Sequence, residues 1–229
     1  MQLIIDGIRK KYHHNQVLDG VSLRIESGEQ VGILGQNGCG KSTLLAVLAG
    51  ILSADAGRFL VQHEGREPMD LLDAPALRSR LVGYVPQDTP LLEELSALDN
   101  LRLWYPGGRR VLEKELESGV LRDLGIEPFL DRRVSRLSGG MKKRLSIGCA
   151  LAHHPQILLL DEPGAALDLV CKQIIVDYLD IFCREGGIVL MASHEIPEIA
   201  SCTRTLILKD GTVRPYAFDG SVSQLVSYL

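Results

Sequence analysis

Short apolar runs recur along the chain and predict buried strands. Each run has four or five residues and is bounded by glycine, proline or polar residues, at 31–34, 81–85, 157–160 and 188–192. A further run lies at 205–208, and helical spacing separates the later runs. Because strands that alternate with helices form parallel units, this pattern predicts an α/β fold whose mostly parallel sheet is covered on both faces.

Two regions depart from this alternation. Near the start, Leu3, Ile4, Ile5 and the apolar positions between 17 and 25 predict strands of a β subdomain. From about 91 to 152 the apolar residues recur at three- or four-residue steps, which predicts helices, at Leu95, Leu98, Leu101, Leu112, Leu116, Val120 and Leu124. We therefore expect a single domain over residues 1–229, with a helical subdomain at about 88–152 inserted into the α/β core.

Composition limits the possible functions. The chain has 229 residues, of which 45% are hydrophobic, enough for one large core. A net charge of -4 argues against nucleic acid as the main partner, because domains that bind it usually carry a basic surplus. No apolar run approaches the ~20 residues that span a bilayer, and the first residues lack the pattern of a secretory signal. We therefore expect a cytoplasmic protein with no nucleic-acid partner.

Residues 35–43 form a glycine loop with the sequence GQNGCGKST, between the 31–34 strand and a predicted helix at 41–49 that Gly50 ends. Glycines at 35, 38 and 40 allow backbone N–H groups to surround phosphate oxygens. Lys41 can bridge the β- and γ-phosphates of a nucleotide, and Ser42 can offer its hydroxyl to Mg²⁺. The alternative is a glycine-rich turn that caps a helix, but the complete motif in this context favours nucleotide binding.

An acidic pair follows the apolar run at 157–160. Asp161 therefore stands at the carboxyl end of a predicted strand, where ligands bind in open α/β sheets. Its carboxylate can hold Mg²⁺ through water, and Glu162 can orient or polarise the attacking water. The alternative is an ordinary acidic turn halted by Pro163, but the phosphate loop upstream favours the catalytic interpretation.

A second loop with glycines lies at 137–141, with the sequence LSGGM. One chain can hardly turn two separate phosphate-gripping loops toward one nucleotide. We therefore expect a second copy of the chain to supply the second grip.

These motifs, in this order and spacing, resemble the ATP-binding subunit of ATP-binding-cassette (ABC) transporters over essentially the whole chain. The resemblance implies a P-loop NTPase (RecA-like) core with an antiparallel β subdomain and an inserted α-helical subdomain. It implies ATP and Mg²⁺ as cofactors, with metal contacts from Ser42, Gln87 and Asp161. It also implies these nucleotide contacts: Tyr12, Gly35, Asn37, Gly38, Cys39, Gly40, Lys41, Ser42, Thr43, Ser138, Gly139 and Gly140.

The resemblance further assigns roles to single positions. Ser138 and Gly140 are expected to contact the γ-phosphate bound by the other subunit. Gln87 is expected to touch Mg²⁺ and to link the site to the membrane partner, and His194 to contact the γ-phosphate. Tyr12 is expected to stack on adenine. The segment 166–168 is expected to cross the dimer interface, and the catalytic set comprises Glu162, His194, Gln87 and Lys41.

The expected function is that of an ATPase subunit that dimerises around two ATP molecules and drives transport through a membrane-spanning subunit. The dimer is either a homodimer or a pseudo-dimer with a related ATPase, peripheral on the inner face of the cell membrane through its partner. The sequences at 92–101 and 141–144 resemble those of exporters with separate membrane chains, which predicts export. The alternative is a soluble single-cassette ATPase, such as an iron–sulfur assembly factor.

Three positions differ from the residues that the family commonly has. Met141 stands where the family commonly has glutamine, and Gly164 and Ala165 replace the commoner Thr-Ser pair. Glu162 is present, so nothing indicates an inactive site.

Cys39 lies inside the phosphate loop, where a helix N-terminus and Lys41 favour a thiolate. One hypothesis is therefore a reactive thiol. The alternative is a small residue that fills a tight turn.

Overall fold

The computed structural model describes residues 1–88, 90–165, 167–220 and 228. Within them the strands are β1 (Gln2–Tyr12), β2 (Asn15–Glu26), β3 (Gln30–Leu34), β4 (Ala56–Gln62), β5 (Met69–Asp70), β6 (Val82–Val85), β7 (Ile157–Asp161), β8 (Ile188–Ala192), β9 (Arg204–Lys209) and β10 (Thr212–Tyr216). The α-helices are α1 (Lys41–Ala49), α2 (Pro75–Leu81), α3 (Ala97–Trp104), α4 (Arg109–Ser118), α5 (Val120–Asp123), α6 (Gly139–Ala150), α7 (Leu169–Arg184) and α8 (Ile196–Ser201). No helix in the described ranges is long and apolar enough to cross a membrane.

The strands form two sheets. One is an antiparallel sheet of four strands in the order β2-β1-β4-β5. The other has six strands in the order β10-β9-β3-β8-β7-β6. Its strands are parallel except for β10, which pairs antiparallel with β9 at one edge. The predicted parallel core and the predicted β subdomain are both confirmed.

Side chains of the central strands alternate between two hydrophobic clusters, which explains why these strands are apolar throughout. Along β7, Ile157 and Leu159 belong to the cluster shared with α1 and the antiparallel sheet. Leu158 and Leu160 belong to the cluster shared with α3, α6 and α7. Since the parallel strands are buried on both faces, their polar continuations meet at one edge of the sheet.

The helices between β6 and β7 share their core with the sheet. Leu101 of α3 and Leu145 of α6 lie in the same cluster as Leu158. Buried Arg144 donates hydrogen bonds to the carbonyls of Leu124 (3.0 Å) and Gly125 (3.1 Å), which fixes α6 against the end of α5. This packing sets the position of the first turn of α6, where the loop at 137–141 ends.

Some element boundaries differ from the sequence prediction. The helix at 41–49 and the strand at 188–192 are confirmed, but Leu81 is the last residue of α2 rather than a strand residue. The helical region begins at Ala97 and not near 91, because Ser96 caps α3 by accepting a hydrogen bond from the Asp99 N–H at 3.0 Å. α2 buries none of its residues and so leaves no apolar period, and the edge strand β10 contains a proline that hides its pattern.

Replacing Leu160 with alanine should lower the free energy of unfolding by about 2–5 kcal/mol, because a fully buried side chain would leave a cavity between β7 and the helices. Leu103→Ala is the matched control: Leu103 is 61% exposed on α3, so its loss should cost no more than about 0.5 kcal/mol. Urea unfolding followed by circular dichroism measures both. Equal losses would contradict the placement of Leu160 in the core.

Candidate functional site

The glycine loop between β3 and α1 has a shape that side chains would prevent. Gly40 has φ 112°, and a Cβ there would come within 2.9 Å of a Val17 methyl. A Cβ on Gly35 would lie 2.7 Å from the carbonyl oxygen of Leu208. Both positions therefore require glycine, which allows the tight turn that leads into α1.

A cleft of about 400 Å³ lies beside this loop. Segments that are far apart in sequence line it. All of them except Val17 of β2 follow the carboxyl end of a parallel strand, β3, β6, β7 or β8. Its lining residues are Val17, Asn37, Gly38, Gly40, Lys41, Ser42, Thr43, Gln87, Glu162 and His194. The structure thus brings together most of the phosphate-loop residues and all three candidate catalytic residues that follow β6, β7 and β8.

Lys41 is held inside the loop. The residue is only 6% exposed, and its Nζ donates hydrogen bonds to the carbonyls of Gly35 (2.8 Å) and Gln36 (3.1 Å). These bonds compensate a buried charge and hold the ammonium beside the loop's N–H groups. A cation is therefore held within the glycine loop.

Asp161 is a buried carboxylate with one unsatisfied oxygen. The residue is 3% exposed, and its Oδ1 has no hydrogen-bond partner among the described residues. Burial raises its pKa above the usual value, and Glu162 adds to this, whereas a hydrogen bond from Ser42 and the charges of Lys41 and Lys143 lower it. The site thus holds an oxygen that is ready to bind a cation.

Glu162 and His194 face each other across the cleft. Glu162 adopts a left-handed φ of 47°, which is unusual for a residue with a side chain. Its Oε1 lies 3.4 Å from Nδ1 of His194. Strained backbone of this kind is typical of functional sites, where surrounding contacts impose it. Here the hydrogen bond from Glu162 N–H to the Ala192 carbonyl (2.9 Å) is one such contact.

A small network supports the loop that carries His194. The Ser193 hydroxyl donates to Oε2 of Glu198 and accepts from the Glu195 N–H at 3.0 Å. Lys172 of α7 forms an ion pair with Glu195 at 2.8 Å. His194 is therefore held between two anchored neighbours, while its own side chain is 58% exposed to the cleft and the solvent.

The loop at 137–141 lies outside the cleft. Ser138 caps α6 by accepting a hydrogen bond from the Met141 N–H at 3.3 Å, and both Ser138 and Gly139 are exposed. A Cβ on Gly140 would collide with the sulfur of Cys171 in α7. Asp168 caps α7 through the Cys171 N–H at 2.8 Å. The predicted interface segment at 166–168 therefore adjoins this loop, although Ala166 itself lies outside the described residues.

Tyr12 and Cys39 do not line the cleft. Tyr12 pairs with Asn15 at the end of the β1–β2 hairpin and is 41% exposed. Asn15 and Cys39 line a neighbouring cleft of about 250 Å³ on the other side of the glycine loop. Cys39 sulfur occupies the space that a Gly35 side chain would need. Adenine stacking by Tyr12 and the reactive thiol both stay predictions.

The sequence pattern does not point to two buried charged residues near the cleft. Lys143 is 4% exposed and donates hydrogen bonds to the backbone carbonyls of Pro86 and Gln87. Glu198 is 1% exposed and accepts from Ser193. A lone charge on a helix normally indicates a solvated face, so the sequence offers no signal for Lys143. Glu198 lies on the short helix α8, which begins at Ile196, and its position there gives no signal either.

Comparison with known proteins gives a consistent result. The sequence profile described as ABC transporter matches residues 18–165. The aliphatic sulfonates import ATP-binding protein SsuB of Pectobacterium atrosepticum is 37% identical over 213 residues, covering 92% of this chain and 75% of that protein. The Nod factor export ATP-binding protein I of Rhizobium sp. is 34% identical over 208 residues, covering 90% and 67%. Relatives of both transport directions are therefore present.

Solved structures show the same fold. A dimeric ATP-binding cassette in a post-hydrolysis state, bound to ADP and Pi, is 28% identical to this chain with a TM-score of 0.77. The match covers 94% of this chain and 100% of that cassette. The expected P-loop NTPase fold is confirmed.

Asp161→Asn should raise the melting temperature at pH 7. Because the folded-state pKa of Asp161 lies above the unfolded value of 3.8, its contribution to stability is present at low pH and lost as pH rises through the folded pKa. Asparagine carries no charge, so the variant avoids the free-energy cost of burying the ionised carboxylate at pH 7. Thermal unfolding of the protein without nucleotide measures the change.

Asp55→Asn is the matched control with the opposite sign. The Lys11 N–H and Lys10 hold the pKa of Asp55 below 3.8, so this carboxylate stabilises the fold at pH 7 and loses that effect as pH falls. The same substitution should therefore slightly lower the melting temperature here. A drop in both variants would contradict the account of Asp161.

Proposed function

Because this chain belongs to the ABC transporter family and is its ATP-binding, ATP-hydrolysing subunit, we propose that two copies form a dimer around two ATP molecules. Each ATP lies between the cleft of one copy and the loop at 138–140 of the other. The proposal rests on one observation: the glycine loop, Glu162 and His194 share a cleft, whereas the second phosphate-type loop is exposed outside it.

The cleft supplies the groups that bind a triphosphate. The N–H groups of the loop at 35–43 and the first turn of α1 present partial positive charge to the phosphates. Lys41 exchanges a carbonyl partner for β- and γ-phosphate oxygens, which is favourable because the ammonium then pairs with an anionic oxygen instead of a neutral carbonyl. Asn37 and Thr43 line the same cleft and complete the phosphate contacts.

The chain's donors fit Mg²⁺. The hydroxyl of Ser42 and the amide of Gln87 are hard oxygen donors that line the cleft. The buried carboxylate of Asp161 accepts a hydrogen bond from Ser42 and keeps one oxygen unsatisfied. Within the described residues, no group of three or more Asp, Glu, His or Cys side chains is arranged to hold a metal ion by itself. That suits an ion held by few protein ligands together with substrate phosphates. When bound, Mg²⁺ neutralises the charge of the phosphates.

Glu162 and His194 act on the reacting end of ATP. The Glu162 carboxylate accepts a hydrogen bond from the attacking water and orients it toward the γ-phosphate. His194 lies 3.4 Å from Glu162 and donates to a γ-phosphate oxygen. Anchoring of Ser193 and Glu195 keeps the imidazole at this position. The two residues therefore place the nucleophile and the phosphorus in line.

The loop of the opposite copy completes the site. The start of α6 leaves N–H groups at Gly139 and Gly140 without helical partners, and an anion satisfies such groups. Beside this loop, Leu169 and Val170 expose apolar side chains, at 78% and 70% exposure. Adjacent exposed apolar residues are typical of an interface between proteins. Loss of the γ-phosphate removes the shared contact and opens the dimer.

A membrane-spanning subunit receives the motion of the dimer. Leu92 and Trp104, which are 54% and 48% exposed near the Gln87 loop, suit a docking surface for it, whereas Leu91 and Leu95 are partly buried. The chain is then peripheral on the inner face of the cell membrane. SsuB is named an import protein and the Rhizobium relative an export protein, so export stays a prediction of the sequence.

Glu162→Gln should keep ATP binding but lower the hydrolysis rate by about 10²–10⁴-fold, because the amide cannot take up the water's proton. ATP should then trap the variant as a dimer. Phosphate release measures turnover, and size-exclusion chromatography with light scattering measures the dimer.

Glu64→Gln serves as the control, since Glu64 is exposed on a loop away from the cleft. It should hydrolyse ATP at the parent rate and show no trapped dimer. A Glu162→Gln protein that turns over normally, or that stays monomeric with saturating ATP, would contradict the proposed mechanism.

A further inference from the structure

Lys143 is a buried cation that does not line the ATP cleft. It lies on α6 and is only 4% exposed. Its Nζ donates hydrogen bonds to the backbone carbonyls of Pro86 (3.0 Å) and Gln87 (2.9 Å). A buried ammonium is costly unless it is hydrogen-bonded. These bonds therefore join α6 to the first residues of the Gln87 loop.

The position of Lys143 on α6 connects two different functional loops. α6 begins directly after Ser138, and Lys143 follows within about one and a half turns, roughly 7 Å along the helix axis. The side chain of Gln87 lines the ATP cleft of the same chain. Ser138, in contrast, lies in the exposed loop that is proposed to meet the other copy. A rigid helical segment thus links one cleft to the loop that completes the other.

Backbone contacts strengthen this link from a second direction. The Val134 N–H donates to the Leu95 carbonyl at 2.9 Å, and the Ser135 N–H donates to the Glu93 carbonyl at 3.1 Å. The segment that leads into Ser138 is therefore bound to the segment that follows Gln87. The segment before the loop at 137–141 and the helix after it are therefore both hydrogen-bonded to the stretch at 86–95.

The neighbouring Lys142 makes a different contact. It forms an ion pair with Glu93 at 2.6 Å, but the Glu93 side chain is 61% exposed. Solvent-screened pairs of this kind contribute little. The buried bonds of Lys143 therefore carry the link, and Lys142 offers a matched control.

Lys143 also faces the acidic side of the cleft. Burial lowers its pKa, whereas nearby carboxylates favour its charged form, namely Asp161, Glu198, Asp88 and Glu162. Lys143 in turn lowers the pKa of Asp161. The Lys143 ammonium thus hydrogen-bonds to the Gln87 backbone and also offsets the negative charge of Asp161.

We propose that Lys143 is a positioning residue for ATP hydrolysis: it fixes the Gln87 loop to α6 and so couples the ATP cleft of its own chain to the loop at 138–140 that completes the opposite cleft. This inference rests on the proposed dimer. The two hydrogen bonds that its Nζ donates go to the Gln87 loop and not to the loop at 35–43, so we expect nucleotide binding by a single chain to change little without them.

Lys143→Met tests the proposal, because methionine keeps an unbranched side chain only one heavy atom shorter but has no charge and no donors. We expect kcat to fall by about 10²-fold, as for a misplaced catalytic group, while KM for ATP stays within about threefold. Lys143→Arg should recover part of kcat, since a guanidinium can donate to both carbonyls. Lys142→Met should match the parent protein.

A binding measurement separates positioning from chemistry. In the Glu162→Gln background, Lys143→Met should raise the ATP concentration for half-maximal dimerisation by roughly tenfold or more, because the linked loops no longer move together. The affinity of the monomer for fluorescent ADP should stay within about twofold of the parent, and Lys142→Met should change neither quantity.

Two results would overturn the coupling role. One is a Lys143→Met protein whose kcat and ATP-dependent dimerisation equal those of Lys142→Met. The other is equal loss of ADP affinity and thermal stability in the Met and Arg variants, which indicates a packing defect. If Glu162→Gln alone does not dimerise with ATP, the proposed dimer fails and the coupling fails with it. That outcome differs from a failure confined to Lys143.

Discussion

The burial of a carboxylate at the carboxyl edge of the parallel sheet is the constraint on which the site depends. Asp161 is forced to this edge because β7 is apolar and buried along its length. The fold offsets its charge with a hydrogen bond from Ser42 and with two nearby cations, Lys41 and Lys143. The remaining unsatisfied oxygen is a cost to the folded protein and an advantage for binding a cation.

The same edge also explains how separate segments become one cleft. Gln87, Glu162 and His194 follow β6, β7 and β8, which lie side by side and run parallel. The helices inserted between β6 and β7 bring the loop at Ser138 to a different part of the surface. In the proposed ATP site, most of the residues therefore lie in one place and the remaining loop lies elsewhere on the chain.

The sequence predicts the parts of the site that depend on local pattern. The glycine loop, α1 and the acidic pair after β7 follow from short motifs whose steric and strand-end requirements are strict. Lys143 could not be predicted, because its role comes from a contact with Gln87, more than fifty residues away, and its type normally indicates a solvated position. α2 could not be predicted either, because it buries none of its residues and so shows no apolar period.

The central claim is that each ATP site needs two chains, and complementation between variants tests it most directly. Lys41→Ala removes the phosphate lysine. Gly139→Glu adds a charge that repels phosphate at an exposed position where a Cβ meets only an ordinary contact, Leu167 Cδ2 at 3.8 Å. Each variant alone should be inactive, and mixing them should restore ATP hydrolysis, because the mixed dimer holds one intact composite site. Full activity of Gly139→Glu alone, or no recovery on mixing, would contradict the account.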